Sequence, residues 1–206
     1  MIYLIGGSPR GGKTILSRKL SKALDIPYLS TDYLRLAVMP YFKGEDKNEN
    51  FPFEKMFDLA GIDKFFKDYS GQEMLEADIR EAKTLWPGIE SFIKHLSLCK
   101  TDYIIEGVHF LPSIVSQFKD DKNFKIVLLA KTDSDKIFSG LLQNKNSGDW
   151  IADNIKDDKI LLSAAKSLSE YGKYFIEESE KYGFMCINTE DNFLDKIEDA
   201  ANYLKN

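Results

Sequence analysis

Residues 7–14 read Gly7-Ser8-Pro9-Arg10-Gly11-Gly12-Lys13-Thr14. This is the G-x-x-x-x-G-K-[ST] spacing of a phosphate-binding loop. Glycines let the backbone curl so that several N–H groups converge on one anion. At these offsets Lys13 would reach the β- and γ-phosphates of a nucleotide, and the Thr14 hydroxyl would sit on Mg²⁺. The flanks agree. Ile2-Tyr3-Leu4-Ile5 is a short run of β-formers, and Ile15, Leu16, Leu20, Ala23 and Leu24 recur at helical spacing after the loop. A strand, a phosphate loop and a helix presenting its positive end decide for an α/β fold.

The 206 residues carry a net charge of -5 and are 43% hydrophobic, enough for one domain with a sizeable core. The mild acidity argues against a nucleic-acid groove. No basic, apolar leader precedes the first strand, and no apolar stretch approaches membrane-spanning length. Cys99 and Cys186 lie in apolar contexts without ligand spacing. Together these features read as a cytoplasmic protein whose thiols are reduced and buried, with no membrane partner. His95 and His109 are too far apart to suggest a metal cluster.

Further strands are expected at 26–30, 103–106, 125–130 and 184–187, with helical stretches between them. That βαβα order implies a parallel sheet covered on both faces. Helices are expected over 73–99, split or kinked at Pro87-Gly88, over 158–182 with Gly183 as the stop, and over 191–204, burying Phe193, Leu194, Ile197, Ala201 and Leu204. About 70 residues separate the second and third strands, more than a crossover needs. Residues from about 36 to 100 are therefore read as a helical, aromatic-rich cap over the carboxyl edge of the sheet, with 43–50 as a mobile loop. Residues from about 140 to 158, including Asn144 to Trp150, read as a short lid.

The second strand runs into Ser30-Thr31-Asp32-Tyr33-Leu34-Arg35. Asp32 would emerge beside the γ-phosphate, there to accept a hydroxyl proton or to hold a water on Mg²⁺. The competing use is as a helix N-cap. Arg35, one turn on, could fork onto a substrate carboxylate or phosphate. The third strand ends in Glu106-Gly107-Val108-His109. Glu106 could act on Mg²⁺ through water or position the acceptor. Gly107 would permit close approach of substrate, and His109 is either an anion contact or a structural histidine.

Gly-Gly-Ser-Pro-Arg-Gly-Gly-Lys-Thr, then Ser-Thr-Asp-Tyr-Leu-Arg, then Ile-Ile-Glu-Gly-Val-His-Phe-Leu-Pro together resemble the 2-phosphoglycerate kinase-like family. That is a group of P-loop kinases with the nucleoside monophosphate kinase architecture. The likeness covers roughly residues 1–112. It implies a three-layer α/β/α P-loop NTPase fold whose five-stranded parallel sheet has order 2-3-1-4-5. It also implies ATP- and Mg²⁺-dependent phosphoryl transfer to a hydroxyl of a small, anionic acceptor. By match, residues 7–14 (Gly7, Ser8, Pro9, Arg10, Gly11, Gly12, Lys13 and Thr14) bind the nucleotide, and Thr14 takes Mg²⁺ with Asp32 or Glu106 acting through water. Asp32 and Arg35 take the acid and substrate-anion roles, and Glu106 with His109 line the acceptor side.

The second half departs from that pattern, because kinases of this architecture bring arginines down on a lid. Here the arginines are Arg10, Arg18, Arg35 and Arg80, and the lid offers Lys145 and Lys156. Arg10, Arg80 or a lid lysine would have to supply the catalytic charge; Arg10 is well placed for it, inside the loop, and Arg80 on the cap could instead bind the acceptor. Two other readings stay open: a nucleoside or nucleotide kinase stacking a base on Phe51 or Phe53, and a nucleotide-binding regulatory protein with weak catalysis. The Phe-rich insertion could also form a homodimer surface.

Overall fold

Ile2–Gly7 forms β1, buried along its whole length, because it is flanked on both sides by parallel neighbours. The computed structural model describes residues 1–146 and 148–205; Ser147, part of the expected lid, lies outside them. Four more strands join β1: β2 (Tyr28–Ser30), β3 (Tyr103–Glu106), β4 (Phe124–Ala130) and β5 (Cys186–Asn188), all parallel, in the order β2-β3-β1-β4-β5. This is the order the resemblance implies. Side chains alternate along β1. Leu4 packs with the helix α5 (Gly71–Leu98) on one face, and Tyr3 and Ile5 pack with α1 (Lys13–Leu24) and α10 (Phe193–Lys205) on the other.

The register aligns the strand ends that matter. Ile5 of β1 and Ser30 of β2 both pair with Glu106, the last residue of β3. The phosphate loop, Asp32 and Glu106 therefore leave the sheet at one edge, where ligands bind in parallel α/β folds.

The long insertion holds α2 (Thr31–Val38), α3 (Gly44–Asn50), α4 (Pro52–Asp68) and α5. Gly61 breaks α4 with φ 67° and ψ 164°. The 43–50 segment is thus a helix rather than a mobile loop. It lacks apolar periodicity but has Glu45 and Asp46 in its first turn, where the helix dipole favours acids. Its Asn50 accepts from Thr84 of α5. Pro87 does not split α5. Lys83, Pro87 and Gly88 all face solvent, so the carbonyl that Pro87 cannot pair is open to water, and buried Leu85, Ile89 and Ile93 anchor the helix on both sides of it.

After β3 come a short α6 (Pro112–Val115), then β4, α7 (Ser134–Gln143), α8 (Trp150–Asn154) and the long α9 (Asp158–Tyr182). Gly183 ends α9 in the left-handed region at φ 68°, as its sequence position suggests. Two burial expectations fail. Leu194 is 75% exposed, because it lies on the outer face of α10. Cys99 is exposed at the end of α5, while Cys186 is half-buried. Among the described residues, no helix is long and apolar enough to cross a membrane.

The missing side chain of Gly107 leaves room for a protein neighbour, Thr31. A Cβ there would lie 1.7 Å from the Thr31 Oγ1. Gly107→Ala should therefore destabilise the fold by about 1–3 kcal/mol or more. Gly88→Ala, whose Cβ meets nothing within 4 Å at an exposed position of α5, should stabilise it by about 0.5–1 kcal/mol. Urea unfolding of the two variants checks the contrast.

Candidate active site

The phosphate loop is shaped by its contacts with β4 and β5. Gly7 has φ 124°, and a Cβ on it would lie 1.9 Å from the Leu129 carbonyl oxygen, so no other residue fits. Ser8 N–H donates to that carbonyl at 2.9 Å, and the buried Thr189 hydroxyl donates to the Gly11 carbonyl at 2.9 Å. Gly12 caps α1 in the left-handed region at φ 102° and offers no side-chain bond. The first-turn N–H groups of α1 are thus left open to an anion.

Lys13 curls back over the loop, its ammonium donating to the Gly7 and Ser8 carbonyls at 3.1 and 2.8 Å. Burial pushes its pKa down, against the attraction of Glu106, Asp32 and Asp78. Thr14 donates its hydroxyl to Glu106 Oε1 at 3.1 Å. Glu106 is 3% exposed. Burial raises its pKa, and Lys13 acts in the opposite direction. A hydroxyl and carboxylates are hard oxygen donors, the type that suits Mg²⁺. No group of three or more His, Cys, Asp or Glu among the described residues could hold a metal unaided. Mg²⁺ in phosphoryl-transfer sites takes only one or two carboxylates, with the substrate phosphates and water completing its shell.

Ser30, not Asp32, caps α2: its hydroxyl accepts from the Asp32 N–H at 3.3 Å. The Asp32 carboxylate is exposed on the cavity wall and makes no hydrogen bond or ion pair among the described residues. An acid relieved of capping is free for chemistry.

All these groups face one cavity of 690 Å³ that runs from the phosphate loop into the cap. Its inner wall carries Phe53, Phe65, Phe66, Met74 and Leu168, with Trp150 of the lid. Arg10 lines it too, in the left-handed conformation at φ 62°, and pairs with Asp149. Asp149 also caps α8 through its other oxygen, accepting from the Ile151 and Ala152 N–H groups at 3.1 and 3.0 Å. One aspartate therefore ties the lid helix to the phosphate loop. Burial lowers the Arg10 pKa. The lid lysines do not reach the cavity: Lys145 pairs with Asp158 at 2.9 Å, and Lys156 is exposed and outside the lining.

Arg35 lines the cavity as expected, but its guanidinium is already engaged. Nε donates to Glu81 at 2.6 Å and Nη2 to Glu54 at 3.0 Å. Arg80 is not brought to the site; it is exposed on α5 and outside the cavity lining. His109 is 2% exposed, with Nδ1 2.6 Å from the Thr31 hydroxyl. Burial pushes its pKa down to about 4, with the Asp32 charge opposing. It is thus a neutral, hydrogen-bonded histidine rather than a cationic anion contact. Phe51 is fully buried, edge-on to Phe42 at 5.2 Å, so it cannot stack a base; Phe53 does line the cavity.

Sequence reasoning missed Asp78 of α5. It lines the cavity and accepts from the Tyr171 hydroxyl of α9 at 2.6 Å. Burial raises its pKa to about 7; the Tyr171 hydrogen bond and Arg35 oppose this, and Glu81 and Asp32 add to it. The available signal was Asp78 and Glu81, three apart among Leu75, Ile79 and Ala82, which places acids on the apolar stripe. A carboxyl whose folded pKa lies above its unfolded value loses stabilisation as pH rises between the two. Asp78→Asn should therefore gain on the parent between about pH 4 and 7, by up to ~4 kcal/mol at 1.36 kcal/mol per pKa unit. Urea unfolding of both proteins across that range tests the sign.

No protein-family model matches the chain. Over 117 residues it is 29% identical to the mevalonate-3-phosphate 5-kinase of Thermoplasma acidophilum, covering 56% of this chain and 54% of that protein. The chain thus spans about half the length of the curated relative it matches. The shikimate kinase from Bacteroides thetaiotaomicron superposes with a TM-score of 0.54 at 14% identity, over 100% of this chain and 99% of that one. An uncharacterized protein from Eubacterium ventriosum gives a TM-score of 0.54 at 16% identity, over 100% of this chain and 98% of that one. These likenesses establish a kinase-like P-loop fold and do not single out the 2-phosphoglycerate kinase-like family.

Proposed function

We propose that this chain is an ATP- and Mg²⁺-dependent phosphotransferase of the 2-phosphoglycerate kinase-like type, moving the γ-phosphate to a hydroxyl of a small acceptor. Residues 1–206 form one kinase domain, with about 36–100 as its substrate cap and about 140–158 as its lid. The observation that carries this reading is a single cavity. Lys13, Thr14, Asp32 and Glu106 meet at its phosphate end, and it continues into the cap with room for a second ligand.

Each residue has a role set by its position. The loop N–H groups and Lys13 hold the phosphates, and Arg10 brings the guanidinium that kinases of this architecture usually carry on a lid. Thr14, with Glu106 acting through water, would hold Mg²⁺. An ion held there would supply positive charge against that of the nucleotide phosphates. Asp32 takes the proton of the acceptor hydroxyl as that oxygen bonds to the γ-phosphorus. The bond from this phosphorus to the bridging oxygen breaks, and ADP leaves. Asp149 keeps Arg10 and the lid helix together over the loop, which excludes water from the transfer.

The test is the fate of the phosphoryl group. With Mg²⁺ and ATP, phosphorus NMR should show a new phosphate ester growing as the γ-signal falls, and only with an acceptor present. Release of inorganic phosphate at the same rate with and without any acceptor would contradict transfer.

A further inference from the structure

The charges around the cavity select its second occupant. Three cations line it, Arg10, Lys13 and Arg35; the first two serve the nucleotide phosphates in the reading above, and the third is held by carboxylates. Arg10 is paired with Asp149. Lys13 lies over the phosphate loop, donating to its carbonyls. Arg35 is shared between two carboxylates, Glu54 and Glu81. Glu81 is fully buried and also accepts the Glu54 N–H at 3.1 Å. Turning Arg35 toward an incoming anion would strand that buried carboxylate, which is strongly unfavourable. No other cation lines the cavity among the described residues.

The other charged side chains of the lining are acids, beside the neutral Thr14, His109, Ser167 and Tyr171. Among the described residues Asp32 has no hydrogen-bond or ion-pair partner, and Asp78, fixed by the Tyr171 hydroxyl at 2.6 Å, faces the same space. Bound nucleotide phosphates would add further negative charge. Around these acids the wall is aromatic and aliphatic, with Phe53, Phe66, Met74 and Trp150 in the lining. Such a wall stabilises an apolar body, and its rings favour a cation over an anion. A hydrogen-bond donor placed against Asp78 would satisfy a carboxyl that the cap otherwise leaves with one partner.

From these observations, and resting on the kinase reading above, we propose that the acceptor is an alcohol with an apolar body and no anionic group. Its second polar group, a hydroxyl or an ammonium, is read by Asp78 with Tyr171. The anionic acceptor implied by the family resemblance does not fit this charge arrangement. Asp78 is then a specificity residue, while Asp32 keeps the proton-accepting role.

Three probes on one scaffold test this: 3-phenylpropane-1,2-diol, phenylalaninol and 3-phenyllactate, with glycerate and 2-phosphoglycerate as smaller anions. Binding is measured by calorimetry at pH 8 with Mg²⁺ and a non-hydrolysable ATP analogue present. The expected result is that the diol or the amino alcohol binds at least tenfold tighter than every anion. Binding of the amino alcohol but not the diol would assign the second group as an ammonium. Asp78→Asn should then weaken the amino alcohol about tenfold while leaving the diol within threefold, a change of ranking that mere loosening of the cap would not give. Tighter binding of any anion, or binding of neither the diol nor the amino alcohol, overturns the proposal, and the parent's ranking decides this even if the variant fails to fold. The kinase reading is separable. If an anion binds and receives phosphate in a reaction lost in Lys13→Ala, that reading stands and only the acceptor class falls.

Discussion

Lys13→Ala lowers the rate of acceptor phosphorylation by about 10²–10³-fold, the loss seen when one preorganised group that stabilises developing charge is removed. The position explains the size. Among the described residues Lys13 is the cation of the cavity lining that does not hold a carboxylate in an ion pair; Arg10 and Arg35 do. Its ammonium rests on two loop carbonyls, and its pKa is pushed down by burial, so it enters a phosphate contact already partly desolvated. The fold should survive the change, since the loop is held by Ser8, Gly7 and Thr189 against β4 and β5. Single-turnover kinetics of parent and variant, with unfolding curves beside them, separate lost chemistry from lost structure.

Asp32→Asn keeps nucleotide binding and loses about 10²–10⁴-fold in kcat, the range for removal of a general base. Asparagine is nearly isosteric, and Ser30 rather than Asp32 caps α2, so the helix should start unchanged. The Asp32 side chain makes no hydrogen bond or ion pair among the described residues, so its replacement breaks no structural contact. Nucleotide affinity within threefold of the parent, together with the loss in kcat, would place its effect in the chemical step. A fall in affinity with unchanged kcat would instead make Asp32 a binding group.

Legibility followed the range of the interactions. The phosphate loop, β1 and the start of α1 were readable because their chemistry is local: glycine conformations, an apolar run and a lysine at a fixed offset. Glu106 and Asp32 were readable as strand-end acids because a parallel sheet brings such ends to one edge. Partners fixed by tertiary packing were not. That Glu81 and Glu54 would take Arg35, that Thr31 would occupy the space beside Gly107, and that Tyr171 would turn Asp78 into a cavity wall all depend on how α5 lies against α2, α4 and α9. Helix α3 escaped notice for a different reason. It is stabilised by terminal charges and by Asn50, not by an apolar face.

The central claim is that Lys13 and Asp32 stand on either side of one transferring phosphoryl group, with the cap beyond. A crystal structure with Mg²⁺ and a non-hydrolysable ATP analogue tests it most directly. The γ-phosphate is expected between the Lys13 ammonium and the Asp32 carboxylate, with the cap cavity opening behind Asp32. A γ-phosphate directed away from Asp32, with that carboxylate left facing solvent, would contradict it.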